Sequence, residues 1–314
     1  QILGSDDSDF GVDHVFDLSL QHDTDGMIDL AWDNSGWDDH GLFMLQDAFG
    51  GDMVSVVMNH VSGFQVDVDT PPLQFIMTPG AEVPPPPVST ANVQVIHNSA
   101  SPTVDVYIDG QMAIENFEYR TATPVLELGT SFTVGIAPAG GDIIAEFPFT
   151  LMEDGDYVVV ATGLLGDTDT PFDLAATGTT FGSSAGNVGL EVYHGSTDAP
   201  AVDVLADGSV LVPDLAYGEF SGFAEVPAAD YVIGIAPAGG DPIAEFTAPL
   251  SGLGGGSAVV FASGFLSGDD PAFGLFAALA DGSVLELPPY EEPGDVVEFT
   301  AMMTGSGGTS TYDV

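Results

Sequence analysis

Short apolar runs, each closed by a turn signal, recur along the whole chain. The runs span about four to eight residues, are rich in Val, Ile, Phe and Tyr, and end at Asp-Gly, Gly-Gly or Pro. This pattern is typical of short β-strands joined by tight turns. Two turns, Asp109-Gly110 and Asp207-Gly208, supply the positive-φ residues that a type I′ hairpin requires. No segment shows a long helical apolar period with caps, so the sequence predicts few helices.

Most of the runs belong to two copies of one domain. The segment Gly135 to Asp142 (GIAPAGGD) returns as Gly234 to Asp241, and both copies continue, one residue on, into Ile-Ala-Glu-Phe. The offset of about 100 residues is too long for a solenoid repeat and fits tandem whole domains. Roughly seven strands in a domain of this length predict a β-sandwich.

The first 80 residues carry six further runs in which apolar and polar positions alternate, which predicts a third, smaller sandwich. The runs are His14–Leu20, Gly26–Trp32, Gly41–Gln46, Met53–Asn59, Phe64–Val68 and Leu73–Met77. Four consecutive prolines at Pro84 to Pro87 then form a stiff spacer.

Together these patterns predict an all-β protein of three tandem, immunoglobulin-like β-sandwiches with antiparallel sheets and few helices. The predicted domains are residues 1–80, 91–186 and 187–289. A Pro-rich linker at 81–90 separates the first domain from the repeats, and a C-terminal strand and tail occupy 290–314.

The opening of each repeat carries a family resemblance. Residues 95–110 (VIHNSASPTVDVYIDG) and 192–208 (VYHGSTDAPAVDVLADG) resemble the start of a bacterial secreted repeat family, domain of unknown function 4397. The resemblance covers residues 91–289 and implies an exported, envelope-associated or extracellular protein with tandem copies. It brings neither an enzymatic activity nor an agreed ligand. In the first domain, residues 43–59 are similar to β-modules of proteins exported by the type IX secretion route.

Charge narrows the possible partners. The chain has 48 acidic residues against one base, Arg120, and a formal net charge of −47. Phosphates would be repelled, which excludes nucleic acid as a natural partner and disfavours anionic membranes. Such a surface suits a saline or calcium-rich setting, because the Debye length falls to about 3–4 Å at high salt. We therefore expect an extracellular or cell-surface location, with Gln1 as a processed N-terminus.

Two further features bear on location and stability. The uncharged stretch Thr247 to Gly268 is long enough to cross a membrane, but its many glycines and its match to a strand of the first repeat favour a hairpin, so we expect no membrane span. The chain has no cysteine, so neither disulfides nor thiolate metal sites stabilise it.

Asp-rich turns are candidate calcium sites, because calcium takes six to eight hard oxygen ligands and short acidic loops present them without helices. None completes the EF-hand pattern, since the closing glutamate is missing, and a solvated acidic surface is the alternative. Calcium is the one cofactor considered. The candidate ligands are Asp23, Asp25, Asp29, Asp33, Asp38, Asp39, Asp167, Asp169 and Asp173.

The histidines do not form a transition-metal pattern. His14, His22, His40 and His60 lack metal-ligand spacing. His97 and His194 end the first strand of each repeat, and there we expect a structural hydrogen bond within the loop.

We expect no enzymatic activity. Residues 182–186 (GSSAG) match the G-x-S-x-G nucleophile pattern, but a strand rather than a helix follows them. Trp32, Trp37 and Phe43 could form a sugar-binding platform, although core packing is the more ordinary use of each.

The tail suggests self-assembly. A strand outside a complete domain either pairs with its own chain or adds to a sheet of a neighbouring subunit. The residues concerned are Asp295, Val296, Val297, Glu298, Phe299, Thr300, Ala301, Met302 and Met303. Arg120 is a candidate for an inter-subunit salt bridge.

The resulting hypothesis is an extracellular structural protein, a subunit of a surface filament or matrix. In this hypothesis copies associate head to tail through strand docking, and cations screen or bridge the acidic faces. Its partner would be a second copy of the chain, with an extracellular polysaccharide as a further possibility. The alternative is a monomeric surface adhesin or carbohydrate-binding module.

Overall fold

The computed structural model describes residues 11–20, 26–67, 69–268 and 270–292, and these residues are almost entirely β-structure. Their one named helix is a 3₁₀ turn at Trp37–Asp39. The all-β fold predicted from the sequence is thereby confirmed. The chain forms two compact units, Gln1–Val88 and Ser89–Val314. Within the described ranges, no helix is long and apolar enough to cross a membrane.

The described residues of the N-terminal unit form six strands, each overlapping one of the six alternating runs in the sequence. They are β1 (His14–Leu18), β2 (Met27–Ala31), β3 (Gly41–Asp47), β4 (Ser55–Val57), β5 (Gly63–Asp67) and β6 (Leu73–Pro79). One sheet has the order β1-β6-β3-β4, and β2 pairs with β5 in a second. Leu45, Val66 and Leu73 lie in the core, against which Leu30 and Phe64 of the two-stranded sheet also pack. Alternate positions along β3 are buried, as a half-buried strand requires.

The first repeat is a sandwich of two sheets, ordered β10-β7-β14-β15, with β11 also on β7, and β13-β12-β8-β9. Its strands are β7 (Thr90–His97), β8 (Val104–Ile108), β9 (Gln111–Phe117), β10 (Thr121–Ala122), β11 (Leu126–Gly129), β12 (Ser131–Pro138), β13 (Ala145–Thr150), β14 (Asp156–Thr162) and β15 (Asp173–Gly178). Asp109 and Gly110, at φ 49° and 77°, form the predicted type I′ turn between β8 and β9.

The second repeat has the same construction, with sheets ordered β19-β16-β22-β23-β24 and β18-β17-β20-β21. Its strands are β16 (Asn187–His194), β17 (Val202–Ala206), β18 (Ser209–Leu215), β19 (Ala224–Pro227), β20 (Asp230–Pro237), β21 (Ala244–Pro249), β22 (Ser257–Ser263), β23 (Gly274–Leu279) and β24 (Val284–Leu287). The uncharged stretch Thr247 to Gly268 forms the end of β21, a turn and β22. The predicted hairpin is wrong in its pairing, because β21 and β22 belong to different sheets and the turn joins the two layers of the sandwich.

Between the named strands of the described residues, pairing is antiparallel except for one parallel pair in each repeat. There β14 runs parallel to β7, and β22 runs parallel to β16. Parallel neighbours require a long crossover connection. In each repeat the other sheet supplies it, because the chain leaves the first strand, builds that sheet and then returns.

The two repeats pack face to face and form four sheet layers. The cluster between them, called here the inter-repeat layer, consists of Ile96, Val158, Val160, Tyr193, Val259, Phe261, Phe276 and Ala278. Successive residues of β14 alternate between faces, so that Val158 and Val160 enter this layer while Val159 and Ala161 line the core of the first repeat. The inner sheets are therefore buried on both faces.

Candidate functional site

The acidic residues proposed as calcium ligands in the first unit make separate hydrogen bonds. Asp23 and Asp25 lie outside the described residues. Asp29 accepts a hydrogen bond from Gln65 Nε2 at 2.6 Å, and Asp38 accepts one from Asn59 Nδ2 at 2.9 Å. Asp33 accepts two from Ser35, which lower the pKa of its carboxyl. Asp39 lies in the 3₁₀ turn.

In the first repeat, Asp167 holds its own loop closed. Its Oδ1 accepts the backbone N–H groups of Asp169 and Thr170, both at 2.8 Å, and these bonds lower the pKa of the carboxyl. Asp173 begins β15. Nowhere among the described residues do three or more acidic or histidine side chains converge as a metal-holding group. Calcium binding stays a prediction, since carbonyl and water oxygens also serve as ligands.

The predicted docking strand, residues 295–303, lies outside the described residues. Arg120 is described, and it contacts the second repeat of its own chain. Its Nε donates to Ser263 Oγ at 3.1 Å, and a terminal nitrogen donates to the Ala272 carbonyl at 2.7 Å. The guanidinium carbon lies 4.3 Å from the centre of the Phe276 ring. The one basic residue of the chain therefore joins the two repeats through neutral acceptors and an aromatic face.

The contact between the repeats is reciprocal. Tyr119 Oη lies 2.6 Å from Ser263 Oγ, and at the equivalent positions Tyr217 Oη lies 3.4 Å from Thr162 Oγ1. Equivalent strands of the two copies also supply the inter-repeat layer. The same surface is used on both sides, so the pair is a two-fold-like arrangement within one chain. The one sequence signal for this contact is the tyrosine that recurs at the same place in both copies, Tyr119 and Tyr217.

Polar bonds at the margins of the inter-repeat layer fix its register. Gln94 Nε2 donates to the Leu279 carbonyl at 2.6 Å, and the Val125 N–H donates to the Ala280 carbonyl at 3.0 Å. Asn98 Nδ2 donates to the Ala262 carbonyl at 3.0 Å. These bonds satisfy polar groups that apolar packing alone would leave unpaired.

The equivalent histidines are buried rather than exposed for binding. His194 Nε2 lies 3.0 Å from the Pro200 carbonyl, a structural hydrogen bond of the kind expected from the sequence. His97 is 0% exposed, with the Pro102 backbone beside its ring as Pro200 is beside His194. Burial lowers the pKa of His97 to about 4 and also lowers the pKa of His194. Both imidazoles are consequently neutral near pH 7.

This burial predicts acid sensitivity of the repeats. The unfolded chain binds a proton at His97 below about pH 6.5, whereas the folded chain binds it only below about pH 4. The stabilisation that depends on a neutral His97 is therefore complete above the pKa of histidine in the unfolded chain, and it is lost as the pH falls from about 6.5 to about 4. We expect a His97→Leu variant to show a shallower decrease in its urea midpoint between pH 6.5 and 4, followed by circular dichroism. His40→Gln, at an exposed site, is the control. An unchanged slope in His97→Leu would contradict the assignment.

The aspartate of the Val-Asp-Val motif in each repeat is a structural clamp. Asp105 accepts the backbone N–H groups of Asn116 and Gly140, both at 2.8 Å. Asp203 accepts those of Asp214 and Gly239, again at 2.8 Å. In both copies one carboxylate thus ties a positive-φ residue of the adjacent strand to the Pro-Ala-Gly-Gly hairpin, and these bonds lower the pKa of both carboxyls.

The clamp can be tested at Asp203. In an Asp203→Asn variant one of the two oxygens becomes an N–H₂ donor that faces a backbone donor, so we expect a clear loss of stability. We expect Asp241→Asn, at an exposed carboxylate on the same hairpin, to change the thermal midpoint little. Calorimetry of the full chain measures both variants. Equal midpoints would show that the clamp adds nothing to the fold.

The other candidate groups serve the fold. Trp37 stacks on Phe43 with ring centres 4.4 Å apart, and the Trp32 indole N–H donates to the Val61 carbonyl at 2.7 Å. In the Gly-Ser joint, Ser184 hydrogen-bonds to the Glu225 carboxylate. The joint leads directly into β16, and no helix follows it.

Comparison with known proteins gives limited guidance beyond the family. No curated protein matches the chain. Among solved structures, the Bacillus anthracis TIE protein is similar at 10% identity, over 77% of this chain and 50% of that chain, with a TM-score of 0.19. The chain thus spans half the length of that protein, and a likeness of this degree carries no argument about function.

A family model matches both repeats, over residues 91–204 and 188–273, which together cover more than half of the chain. The match confirms the resemblance seen in the opening strands of the repeats. The two matched segments overlap at residues 188–204, so the first covers the first repeat and also β16, the opening strand of the second repeat. The chain therefore belongs to the family described as Domain of unknown function (DUF4397).

Proposed function

We propose that this protein is an extracellular structural protein, a subunit of a surface filament or matrix in which the paired repeats act as a rigid acidic block. The observation that carries the proposal is the inter-repeat layer, which joins two sandwiches into a single compact unit. Flexible tandem domains transmit little force or shape. Two sandwiches that share a buried apolar layer keep a fixed geometry.

Charge supports an assembly that depends on cations. Copies with a net charge of −47 repel one another in dilute solution. Salt would screen this repulsion, and divalent ions bound at acidic loops would bridge neighbouring copies.

The C-terminal segment supports strand docking as the means of contact. The Thr247 N–H donates to the Pro288 carbonyl at 2.9 Å, and the Tyr290 N–H donates to the Glu245 carbonyl at 2.8 Å. The chain therefore leaves β24 along the outer edge of β21. Residues 288–290 thus already pair with this edge, and strand docking between copies would use the same kind of backbone pairing.

Negative-stain imaging tests the proposal. The full chain is imaged in high salt with calcium and with chelator, beside a chain ending after Glu292, which retains the Tyr290–Glu245 bond. We expect fibres from the full chain and none from the truncated chain. Loss of fibres with chelator would identify calcium as the bridge. Single particles of about the 32.3 kDa monomer size under every condition would reject the filament and favour the adhesin or carbohydrate-binding module.

A further inference from the structure

A buried carboxyl group lies at the junction of the two repeats. Glu191 is 1% exposed and lies on β16 between Gly189 and Tyr193, on the strand face turned toward the first repeat. It lines a narrow crevice with Gln94 and Thr179 of the first repeat and Val259 of the second. Glutamate is rarely buried to this extent unless it is paired.

The hydrogen bonds around Glu191 satisfy only half of its carboxyl group. Oε1 accepts the Gly222 N–H at 2.8 Å, while Oε2 has no partner within hydrogen-bond geometry among the described residues. The nearby Ser221 hydroxyl donates to the Gly222 carbonyl at 2.9 Å, so its proton is already used. The Ser221 and Thr179 hydroxyls near the carboxyl favour its ionised form, but burial is the larger effect and favours the protonated form.

The other ionisable groups around this site offer no cation. On β19, Glu225 is opposite Gly189 and is held by Asn187 Nδ2 at 3.0 Å. At the start of β14, Asp156 accepts a hydrogen bond from Asn92 Nδ2 at 2.9 Å. Tyr193 follows on the same strand face and is itself buried. None of these neighbours supplies a positive charge. Burial is the main cause that raises the pKa of the Glu191 carboxyl, and it outweighs the hydrogen bonds from Gly222, Ser221 and Thr179, which lower it.

The first repeat shows the same position occupied by a neutral group. Gln94 is the equivalent of Glu191 and is also 1% exposed. Its amide N–H₂ donates to the Thr123 and Leu279 carbonyls, at 3.1 and 2.6 Å, and so bridges the two repeats. One member of a symmetric pair is thus permanently neutral, while the other can carry charge.

We propose that Glu191 is a proton-controlled lock on the pairing of the repeats. With a proton bound, the carboxyl group fits the inter-repeat face as Gln94 does, and the two sandwiches remain closed. Without it, a buried unpaired charge weakens the pairing. The protonated Glu191 therefore contributes its full stabilisation below the pKa of glutamate in the unfolded chain, about 4.3. This stabilisation is lost as the pH rises through the higher pKa of Glu191 in the folded chain. This dependence is opposite to that of His97.

Amide hydrogen exchange of the full chain tests the lock. The reporter is Val125, whose N–H is bonded to the Ala280 carbonyl across the interface. The exchange rate of Val125 in wild type is divided by its exchange rate in Glu191→Gln at the same pH, so that the pH dependence of intrinsic amide exchange cancels. We expect this ratio to rise with pH by up to about tenfold per unit, the slope of a single proton. The control is Glu225→Gln, at an exposed carboxyl whose pKa is lowered. We expect the ratio of Val125 exchange in wild type to that in Glu225→Gln to stay constant with pH.

A ratio that stays flat with pH would overturn the proposal, as would weaker protection in Glu191→Gln at pH 8. A second measurement needs no variant. In a chain labelled with carboxyl-¹³C glutamate, one resonance should titrate above the others. If every glutamate titrated at or below the ordinary range, the lock would be excluded even if Glu191→Gln failed to fold.

Discussion

A Phe261→Ala substitution is expected to lower the free energy of unfolding of the repeat unit by about 3–5 kcal/mol, the usual cost of removing a fully buried aromatic ring. Phe261 is 0% exposed and belongs to the inter-repeat layer rather than to the core of either sandwich. Its ring stacks on Phe276 with centres 5.7 Å apart. The lost contacts should therefore weaken the pairing of the repeats more than the folding of either one.

Urea unfolding followed by circular dichroism measures the loss. We expect the single transition of the repeat unit to broaden or split, because each sandwich keeps its own core. Val210→Ala, at a site 56% exposed on the outer sheet, is the control, with a change within about 0.5 kcal/mol. A loss below about 1 kcal/mol at Phe261 would show that the repeats are independent.

Replacing Arg120 with glutamine should lower the same stability by about 2 kcal/mol, because the variant loses two charge-assisted hydrogen bonds and a cation–π contact. The acceptors, Ser263 Oγ and the Ala272 carbonyl, carry no charge. High salt should therefore change this loss little, unlike that of an exposed ion pair. The stability of Arg120→Lys should lie between those of wild type and Arg120→Gln, because an ammonium group keeps the charge but lacks the forked geometry that reaches both acceptors.

A double-mutant cycle of Arg120→Gln with Ser263→Ala isolates the contact between Arg120 and Ser263. We expect a coupling energy of about 1 kcal/mol between Arg120 and Ser263, within the range found for residues in direct contact. If Arg120 instead joined neighbouring subunits, Arg120→Gln would shorten fibres and leave the unfolding of the single chain unchanged.

Much of the fold could be predicted because local signals agree with it. In the N-terminal unit, the alternation of apolar and polar residues predicted the six strands of the described residues, because one face of each sheet packs on the core and the other faces solvent. The Asp-Gly pairs predicted the hairpins for an equally local reason, the need for positive φ at Asp109 and Asp207.

Local patterns show only part of the pairing of the repeats. Val158 to Ala161 and Ala258 to Phe261 are continuously apolar, as expected for strands covered on both sides. Alternation alone does not say what covers the second face. The parallel pairs likewise depend on a crossover through a whole sheet.

The candidate site was predicted less well, for a related reason. Arg120 finds its partners more than 140 residues further along the chain, so the sequence showed its rarity and not its contacts. Aspartate was too abundant to mark any single site. The role of Asp105 and Asp203 comes from the backbone amides that face them, and the positions of those amides depend on the bulged strand and the hairpin.

The reciprocal inter-repeat face has a consequence for the number of repeats that a chain of this kind can carry. The inner sheet of each repeat is complementary to the same sheet of the other copy, so pairing of two repeats buries both of these faces completely. A third repeat would leave an apolar inner sheet exposed to water. Copies should therefore be gained or lost in twos, and a chain with an odd number would need a second chain to complete the last pair.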